Sequence, residues 1–255
     1  MVTFKLQKDT IKQLKKFISG WDTTSELLYL HTDSYNNLYL VLFDENHIYV
    51  SYLKLGNTDE FKGTFELNRI YKGDGDPKSL KKFISKQKEL EIKTCENSLP
   101  NAFKWVGAND IFNSSQDPCD LNLDLDYFLT GNKTFHIKKQ DFKVLELYKN
   151  HYTCLYFKNG KIEFKIYDDD YNVFAKHIIC DNYNNQIEDH YYLSNKPFLQ
   201  LLRKFNSKDH ITIKFDDRQP LVIKSEDYIG IIAPRILIEE GYGSTDGLYD
   251  KLGDD

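Results

Sequence analysis

Long hydrophobic runs are absent from the 255-residue chain. A membrane-spanning helix needs about 18 or more consecutive apolar residues, and the sequence contains no such stretch. The first residues, Met-Val-Thr-Phe-Lys-Leu-Gln-Lys, lack the apolar core of a secretory signal. Proline is scarce, with 6 residues, and no biased tract occurs, so a disordered chain is not expected. We therefore expect a soluble intracellular protein with one large folded domain or two ordinary ones.

Clustered cysteines are absent as well. The four cysteines, at positions 95, 119, 154 and 180, lie far apart, and none belongs to a Cys-x-x-Cys pair. In an intracellular chain they are expected to be reduced thiols. A zinc site needs clustered ligands, and the sequence shows no such cluster. The expectation is therefore a protein without a bound metal or cofactor.

Sequence signatures of common catalytic sites are also lacking. The chain contains no Walker A loop, no His-Glu-x-x-His and no Gly-x-Ser-x-Gly. Residues 120–126 imitate the start of a calcium-binding loop, but Leu125 stands where glycine is required and Gly131 where glutamate is required. The alternation of a β-strand explains these carboxylates better. We interpret residues 168–170 as a solvated acidic turn and expect no enzymatic activity.

The chain is instead rich in aromatic and β-branched residues, with four short helical patterns between them. It contains 17 Phe and 18 Tyr, enough for a substantial core. Apolar residues recur at helical spacing in residues 8–20, 77–88, 138–150 and 195–206. Almost everything else has the pattern of β-strands separated by turn signals. The prediction is an α+β fold.

The four helical patterns divide the chain into two similar halves. The first and third align Ile11 with Phe142, and the second and fourth align Leu80 with Leu201. Each half runs helix, several strands, helix and a pair of strands, which indicates an internal duplication.

A polar, turn-rich stretch separates the two halves at residues 113–120. We predict an N-terminal domain at 1–112, a connector at 113–132, a C-terminal domain at 133–240 and a flexible acidic tail at 241–255. Residues 121–126, which alternate Leu with Asn or Asp, are predicted to form part of the extended connector.

Acidic residues are almost missing from the helical patterns. With the last one extended to residue 208, these windows hold 17 of the 34 Lys and Arg but only 3 of the 39 Asp and Glu. The bases lie opposite the apolar stripes: Lys78, Lys82 and Lys86 recur every four residues, whereas Leu80 and Ile84 form the apolar side. The chain is acidic elsewhere, and its formal charge is -5.

This charge distribution favours a polyanionic partner. The alternative interpretation is an ordinary solvent-exposed helix face, although such a face usually mixes Glu with Lys. Lysines at this density repel one another unless a phosphate backbone neutralises them, which favours nucleic acid. Few residues are placed to read bases, so the contact is expected to be independent of sequence. The predicted DNA-binding residues are Lys8, Lys12, Lys15, Lys16, Lys78, Lys81, Lys82, Lys86, Lys138, Lys139, Lys143, Lys149, Lys196, Arg203, Lys204 and Lys208.

Three sequence segments resemble the sliding clamp family of proliferating cell nuclear antigen. Residues 219–236, followed by Glu239, Glu240 and Gly241, resemble that family's C-terminus, with its Pro-Leu-Val strand and Ala-Pro-Lys/Arg-Ile strand. The Asp-Glu-Asn-His-Ile turn at 44–48 looks like the family's Asp-x-x-His-Val turn. Residues 120–126 are similar to the start of its interdomain connector.

The resemblance implies an α+β DNA clamp fold with two similar domains, each with β-sheets and two helices facing the interior of a ring. Three copies would close the ring by pairing an edge strand near residues 102–108 with one near 172–179 of the next copy. The implied function is a processivity factor that encircles duplex DNA and tethers DNA polymerase, the clamp loader and other replication and repair proteins. The implied localisation is intracellular and DNA-associated.

The resemblance also implies a pocket for partner peptides beside the connector. Its residues would be His47, Ile48, Leu121, Leu123, Leu125, Pro220, Ile231, Ala233 and Pro234. Ile231 departs from the family because that position is usually aromatic, and the tail is longer than usual. The alternative is a monomeric or heteromeric clamp-like factor that does not form a homotrimeric ring.

Overall fold

The computed structural model describes residues 3–46, 48–67, 77–94, 103–114, 117–118, 125, 133–168, 172–180, 189–205, 210–215 and 219–234. Predictions for His47, Leu121, Leu123 and Lys208 lie outside the described residues, as do those for the tail and most of the connector. The side chain of Lys78 also lies outside them, although its backbone belongs to a helix.

The order of elements repeats along the chain. The first half consists of β1 (Thr3–Lys5), α1 (Lys8–Ser19), β2 (Glu26–Thr32), β3 (Asn37–Asp44), β4 (Tyr49–Asn57), β5 (Gly63–Glu66), α2 (Pro77–Lys86), β6 (Glu91–Thr94), β7 (Phe103–Val106) and β8 (Ile111–Ser114). A two-residue strand follows, β9 (Asp117–Pro118). The second half consists of β10 (Lys133–Lys138), a 3₁₀ helix (Lys139–Tyr148), β11 (Tyr152–Lys158), β12 (Lys161–Tyr167), β13 (Val173–Cys180), β14 (Asp189–Ser194), α3 (Asn195–Lys204), β15 (His210–Phe215), β16 (Leu221–Lys224) and β17 (Tyr228–Ile232). Both halves run strand, helix, four strands, helix and three strands, so the predicted duplication is confirmed.

One antiparallel sheet of nine strands joins the two halves. Its order is β10-β15-β16-β17-β4-β3-β2-β5-β9, and the halves meet where β17 pairs with β4 through five residue pairs, Tyr228 with Leu53 to Ile232 with Tyr49. Two four-stranded antiparallel sheets, β1-β6-β7-β8 and β13-β12-β11-β14, hold the remaining strands. The strands of the two halves therefore join edge to edge at β17 and β4.

The helical segments bury one stripe each, and they differ in helix type. Helix α1 buries Ile11, Leu14, Phe17 and Ile18, a mixture of spacings that suits 3.6 residues per turn. The third segment was predicted as an ordinary helix over 138–150, but the structure shows a 3₁₀ helix over 139–148. Its inward residues, Phe142, Leu145 and Tyr148, are all three apart, which matches the three residues per turn of a 3₁₀ helix.

Lys204 is buried at the junction of the halves, which corrects its prediction as a DNA-binding residue. Its side chain is 1% exposed and its Nζ is paired with Oε1 of Glu26 on β2. Asp44, also buried, lies opposite Glu26 in the β2–β3 register. Burial lowers the pKa of the Lys204 ammonium, and the two carboxylates oppose that shift. Lys204 thus offsets buried negative charge of the N-terminal half and is unavailable to a ligand.

The buried pair predicts an asymmetric response to substitution. Lys204→Met should lower the free energy of unfolding by about 3–5 kcal/mol, because it leaves the Glu26 carboxylate buried without its cation. Adding Glu26→Gln should recover most of that loss, since the neutral amide can still accept the Asp22 N–H bond (2.7 Å in the parent). Urea denaturation measures both changes.

The control is Lys93→Met, which breaks the partly exposed Lys93–Glu91 pair (2.9 Å) on β6. This change should cost at most about 1 kcal/mol. Equal costs for Lys204→Met and Lys93→Met would refute the structural role given to Lys204.

Candidate nucleic-acid interface and peptide pocket

The four helical segments form one row. Helix α2 contacts α1, α1 contacts α3, and α3 contacts the 3₁₀ helix. Their apolar stripes all belong to one core, which they share with the sheets. Side chains on the opposite sides of these helices therefore project away from the core along a single surface.

Most of the predicted basic residues lie on that surface, which we call the helix-row basic face. Its exposed side chains are Lys8, Lys12, Lys82, Lys86, Lys138, Lys143, Lys149, Lys196 and Arg203. Lys15 and Lys16 are half-buried beside them. The described acids of the row are Asp9, Asp141 and Glu146, and Asp141 accepts a bond from the backbone N–H of Lys138 (3.3 Å). The surface is thus strongly positive, as an interface with a phosphate backbone requires; its binding of DNA stays a prediction.

Two of the lysines predicted to bind DNA also donate hydrogen bonds to the ends of neighbouring helices. Lys81 on α2 donates to the carbonyls of Ser19 (3.1 Å) and Trp21 (2.9 Å), at the C-terminal end of α1. Lys139 on the 3₁₀ helix donates to the carbonyl of Phe205, at the end of α3. Carbonyls at a helix C-terminus lack intrahelical partners, and a cation satisfies both their bonding capacity and the helix dipole. In the N-terminal half the lysine of the second helix caps the first helix, whereas in the C-terminal half the lysine of the first helical segment caps the second.

A notch opens between the 3₁₀ helix and α3. Its volume is about 160 Å³, its floor is apolar, and its rim carries Lys139, Lys143 and Arg203 against one carboxylate, Glu146. Three cations around a small cavity favour an anionic group such as a single phosphate. This feature depends on two helices that are distant in sequence, so periodicity alone does not reveal it.

The opposite face of the nine-stranded sheet carries a separate apolar cluster. Ile231 pairs with Val50 on one side and with Val222 on the other, and all three are buried in this cluster with Leu125 of the connector. One step beyond Ile231 on the same face, Ala233 donates its N–H to the carbonyl of Ile48 (2.9 Å). The structure therefore brings Ile48, Leu125, Ile231 and Ala233, four of the predicted pocket residues, into one region, whereas His47, Leu121 and Leu123 lie outside the described residues.

Solvent exposure divides these residues into a buried floor and a more exposed rim. Ile231 and Leu125 are buried, whereas Ile48 and Ala233 are exposed, and Pro220 and Pro234 are half-buried. Sequence reasoning missed Val50 and Val222, although each lies two residues from a predicted pocket residue and so shares its face of the strand. Exposed and half-buried apolar residues thus border a buried cluster, and peptide binding at this place stays a prediction.

The edge strand of the N-terminal half differs from the prediction. Residues 102–108 were expected at an edge, but β7 lies between β6 and β8, so the edge is β8. The second predicted edge, near residues 172–179, agrees with β13. Exposed apolar residues lie on both edges: Ile111 on β8, and Val173 and Ile178 on β13.

Among the described residues no group of three or more His, Cys, Asp or Glu side chains is placed to hold a metal ion. Within the same ranges, no helix has the length and apolar character needed to cross a membrane. Cys154 carries a buried thiol.

Comparison with known proteins identifies the fold. No protein-family profile matches the sequence, and no curated protein matches it. The structure is similar to the DNA polymerase III subunit beta of Borrelia burgdorferi (TM-score 0.70, 15% identity, 93% of this chain and 65% of that chain). It is also similar to the Helicobacter pylori beta clamp bound to a DNA ligase peptide (TM-score 0.67, 14% identity, 92% and 66%). A third similar structure is A. fulgidus PCNA with the C-terminal region of FEN-1 (TM-score 0.65, 13% identity, 94% and 100%).

The chain therefore has the α+β fold of the sliding clamps, which confirms the predicted fold class. It spans about two thirds of the length of the bacterial clamps and the whole length of the archaeal one. At these identities the likeness establishes the fold.

The helix-row basic face predicts a specific effect on duplex binding. Lys12→Glu, Lys82→Glu and Arg203→Glu together should weaken binding of duplex DNA by on the order of tenfold or more at low salt. The slope of log affinity against log salt should fall by about 0.9 for each lost phosphate contact. These side chains are exposed, so the melting temperature should change little. Fluorescence anisotropy at several salt concentrations measures the affinities.

The control carries the same change of net charge elsewhere: Lys5→Glu, Lys62→Glu and Lys104→Glu, all exposed and outside the helix row. Equal weakening in both triple variants would show that total charge, rather than this surface, determines DNA affinity.

Proposed function

We propose that this protein is a DNA sliding clamp: a non-catalytic processivity factor that encircles duplex DNA and tethers DNA polymerase and other replication and repair proteins. The observation that carries the proposal is the single row of four helical segments, basic on its outward side, on a sheet frame with the sliding-clamp fold. The proposal includes two domains, at 1–112 and 133–240, joined by a connector.

Topology, rather than tight contact, would keep such a protein on DNA. The basic face is made almost entirely of lysines, which act as flexible point charges and suit phosphates independently of base sequence. Contacts of this kind are weak individually and allow the protein to slide along the duplex. A closed ring then prevents dissociation without stopping movement.

The internal duplication supports closure of a ring by head-to-tail pairing of copies. Within one chain, β17 of the C-terminal half pairs with β4 of the N-terminal half. The equivalent strands, by their order in the two halves, are β8 and β13, and both are edges with exposed apolar residues. Pairing β8 of one copy with β13 of the next would repeat the internal junction and remove both exposed edges.

The helices at this junction support the same arrangement. Helix α1 contacts α3 across the internal junction, and the equivalent contact between copies would join the 3₁₀ helix to α2. Leu147 on the 3₁₀ helix is 76% exposed, and burial by another copy would explain an apolar side chain there. These exposed edges favour a closed ring over the monomeric alternative.

The pocket supports the tethering role. Its apolar rim, formed by Ile48, Ala233 and Pro234 over the Ile231 floor, suits a short peptide with an apolar or aromatic anchor. Two structures of the same fold contain partner segments, a DNA ligase peptide in one and the FEN-1 C-terminal region in the other. We therefore propose that polymerase and other partners bind this chain through such peptides.

The ring predicts a mass near three times the 30.1 kDa of one chain by light scattering. Leu147→Glu combined with Ile178→Glu should reduce this mass to that of one chain, because charges would be buried in the new interface. The control is Tyr35→Glu, which changes a comparably exposed side chain (67%) in a hairpin away from both edges. A mass of one chain for the unsubstituted protein would refute the homotrimer.

The pocket makes an independent prediction. Ile48→Glu and Pro234→Ala together should weaken binding of the cognate polymerase's C-terminal peptide at least about tenfold while leaving the ring mass unchanged. Isothermal titration calorimetry measures the affinity, with Tyr35→Ala as the control. Unchanged peptide affinity in the double variant would rule out this pocket as the docking site.

A further inference from the structure

The outer surface of the sheet β13-β12-β11-β14 carries a group of rings that the clamp function does not use. Inward positions of β11, such as Leu155 and Phe157, are buried in the core. Outward positions of β11, β12 and β14 instead hold half-buried or exposed rings, which we call the tyrosine face: Tyr152, Tyr156, Tyr167, His190 and Tyr192.

Four rings of the tyrosine face, those of Tyr156, Tyr167, His190 and Tyr192, form a contiguous platform. Ring centroids are 6.0 Å apart for Tyr167 and Tyr192, 5.3 Å for His190 and Tyr192, and 6.5 Å for Tyr156 and His190. The Tyr156 and His190 rings are nearly parallel, with an interplanar angle of 29°. The platform thus presents aromatic surface along three adjacent strands, β12, β11 and β14.

Lysines surround these rings. Lys158 and Lys161 lie opposite each other at the end of the β11–β12 hairpin, and Lys165 lies opposite Lys176 across β12 and β13. Lys165 Nζ is 3.4 Å from the centre of the Tyr156 ring. Glu163 is the one acid at the described outward positions of these strands, and none of the four lysines is ion-paired with a residue that the structure describes. Tyr156, Lys158, Lys161 and Glu163 line a depression of about 320 Å³.

The equivalent surface of the N-terminal half is different. The outer face of β2, β3 and β4 also carries tyrosines, but Tyr29, Tyr39 and Tyr52 are buried in a cluster with Leu125 of the connector. The outer face of β1-β6-β7-β8 has lysines, such as Lys5 and Lys104, and no ring at its described outward positions. Partly exposed tyrosine rings among lysines therefore distinguish this face from the described outer faces of the N-terminal half.

We propose that the tyrosine face binds single-stranded nucleic acid. Unpaired bases stack on exposed tyrosine and histidine rings, and lysines beside the rings neutralise the phosphates. A duplex keeps its base faces stacked internally and would leave the rings unused. An acidic peptide would need the lysines only. The site offers no ordered set of base-edge donors and acceptors, so its binding should tolerate any sequence.

The test uses full-length protein carrying Lys12→Glu, Lys82→Glu and Arg203→Glu, so that the helix-row basic face does not contribute. The probe is a fluorescein-labelled oligothymidylate of about 12 nucleotides, followed by anisotropy. Tyr156→Ala with His190→Ala should weaken binding at least about tenfold, whereas Tyr156→Phe should stay within about twofold because it keeps a stacking ring. Lys158→Gln with Lys161→Gln should reduce the salt slope by about 0.7 for each lost contact.

The matched control is Lys5→Gln with Lys104→Gln on the ring-free face, which should leave binding unchanged. Unchanged affinity in the Tyr156→Ala, His190→Ala variant would overturn the proposal. Equal affinity for a duplex of the same length would also overturn it. An acidic peptide is added as a competitor to the parent protein and to the Tyr156→Ala, His190→Ala variant. Equal displacement of the probe from both proteins would show that the lysines bind a protein segment instead. These outcomes leave the clamp proposal intact, because ring closure and duplex contact use other surfaces.

Discussion

The pairing of β17 with β4 is the constraint on which the rest of this structure depends. It joins the strands of the two halves edge to edge, and thereby sets the two pairs of helical segments side by side. The buried Lys204–Glu26 pair and the ring of Tyr228, packed between Phe17 and Phe205, hold the same junction from the helix side. The continuous positive surface across both halves follows from this one junction.

The same junction links the two proposed binding surfaces. Glu26 receives Lys204 from the helix side, and its neighbour Asp44 accepts the N–H of Ile48 (3.2 Å), a rim residue of the pocket. The sheet thus has a basic helix row over one face and an apolar cluster on the other, with buried charges between them. Separate faces allow a protein to hold DNA and a partner peptide at the same time.

Much of this arrangement could be predicted from periodicity, and the errors have local causes. The positions of α1, α2 and α3 were predicted correctly because apolar residues recur at helical spacing in each. Lys204 was misassigned although it follows Pro197 by seven residues and Leu201 by three, which places it on the buried stripe. Its partner Glu26 comes from a strand distant in sequence. The edge strand was misassigned because β8 has only four residues, and sequence pattern does not show which short strand ends a sheet.

The claim that topology holds this protein on DNA can be tested most directly by retention on circular and cut DNA. The protein is loaded onto nicked circular DNA with its clamp-loader ATPase, washed at high salt, and followed after the circle is cut with a restriction enzyme. A ring that encircles the duplex should survive the wash on the circle and leave rapidly through the new ends. Loss at the same rate from intact and cut circles would contradict encirclement and leave a protein that binds DNA on one face.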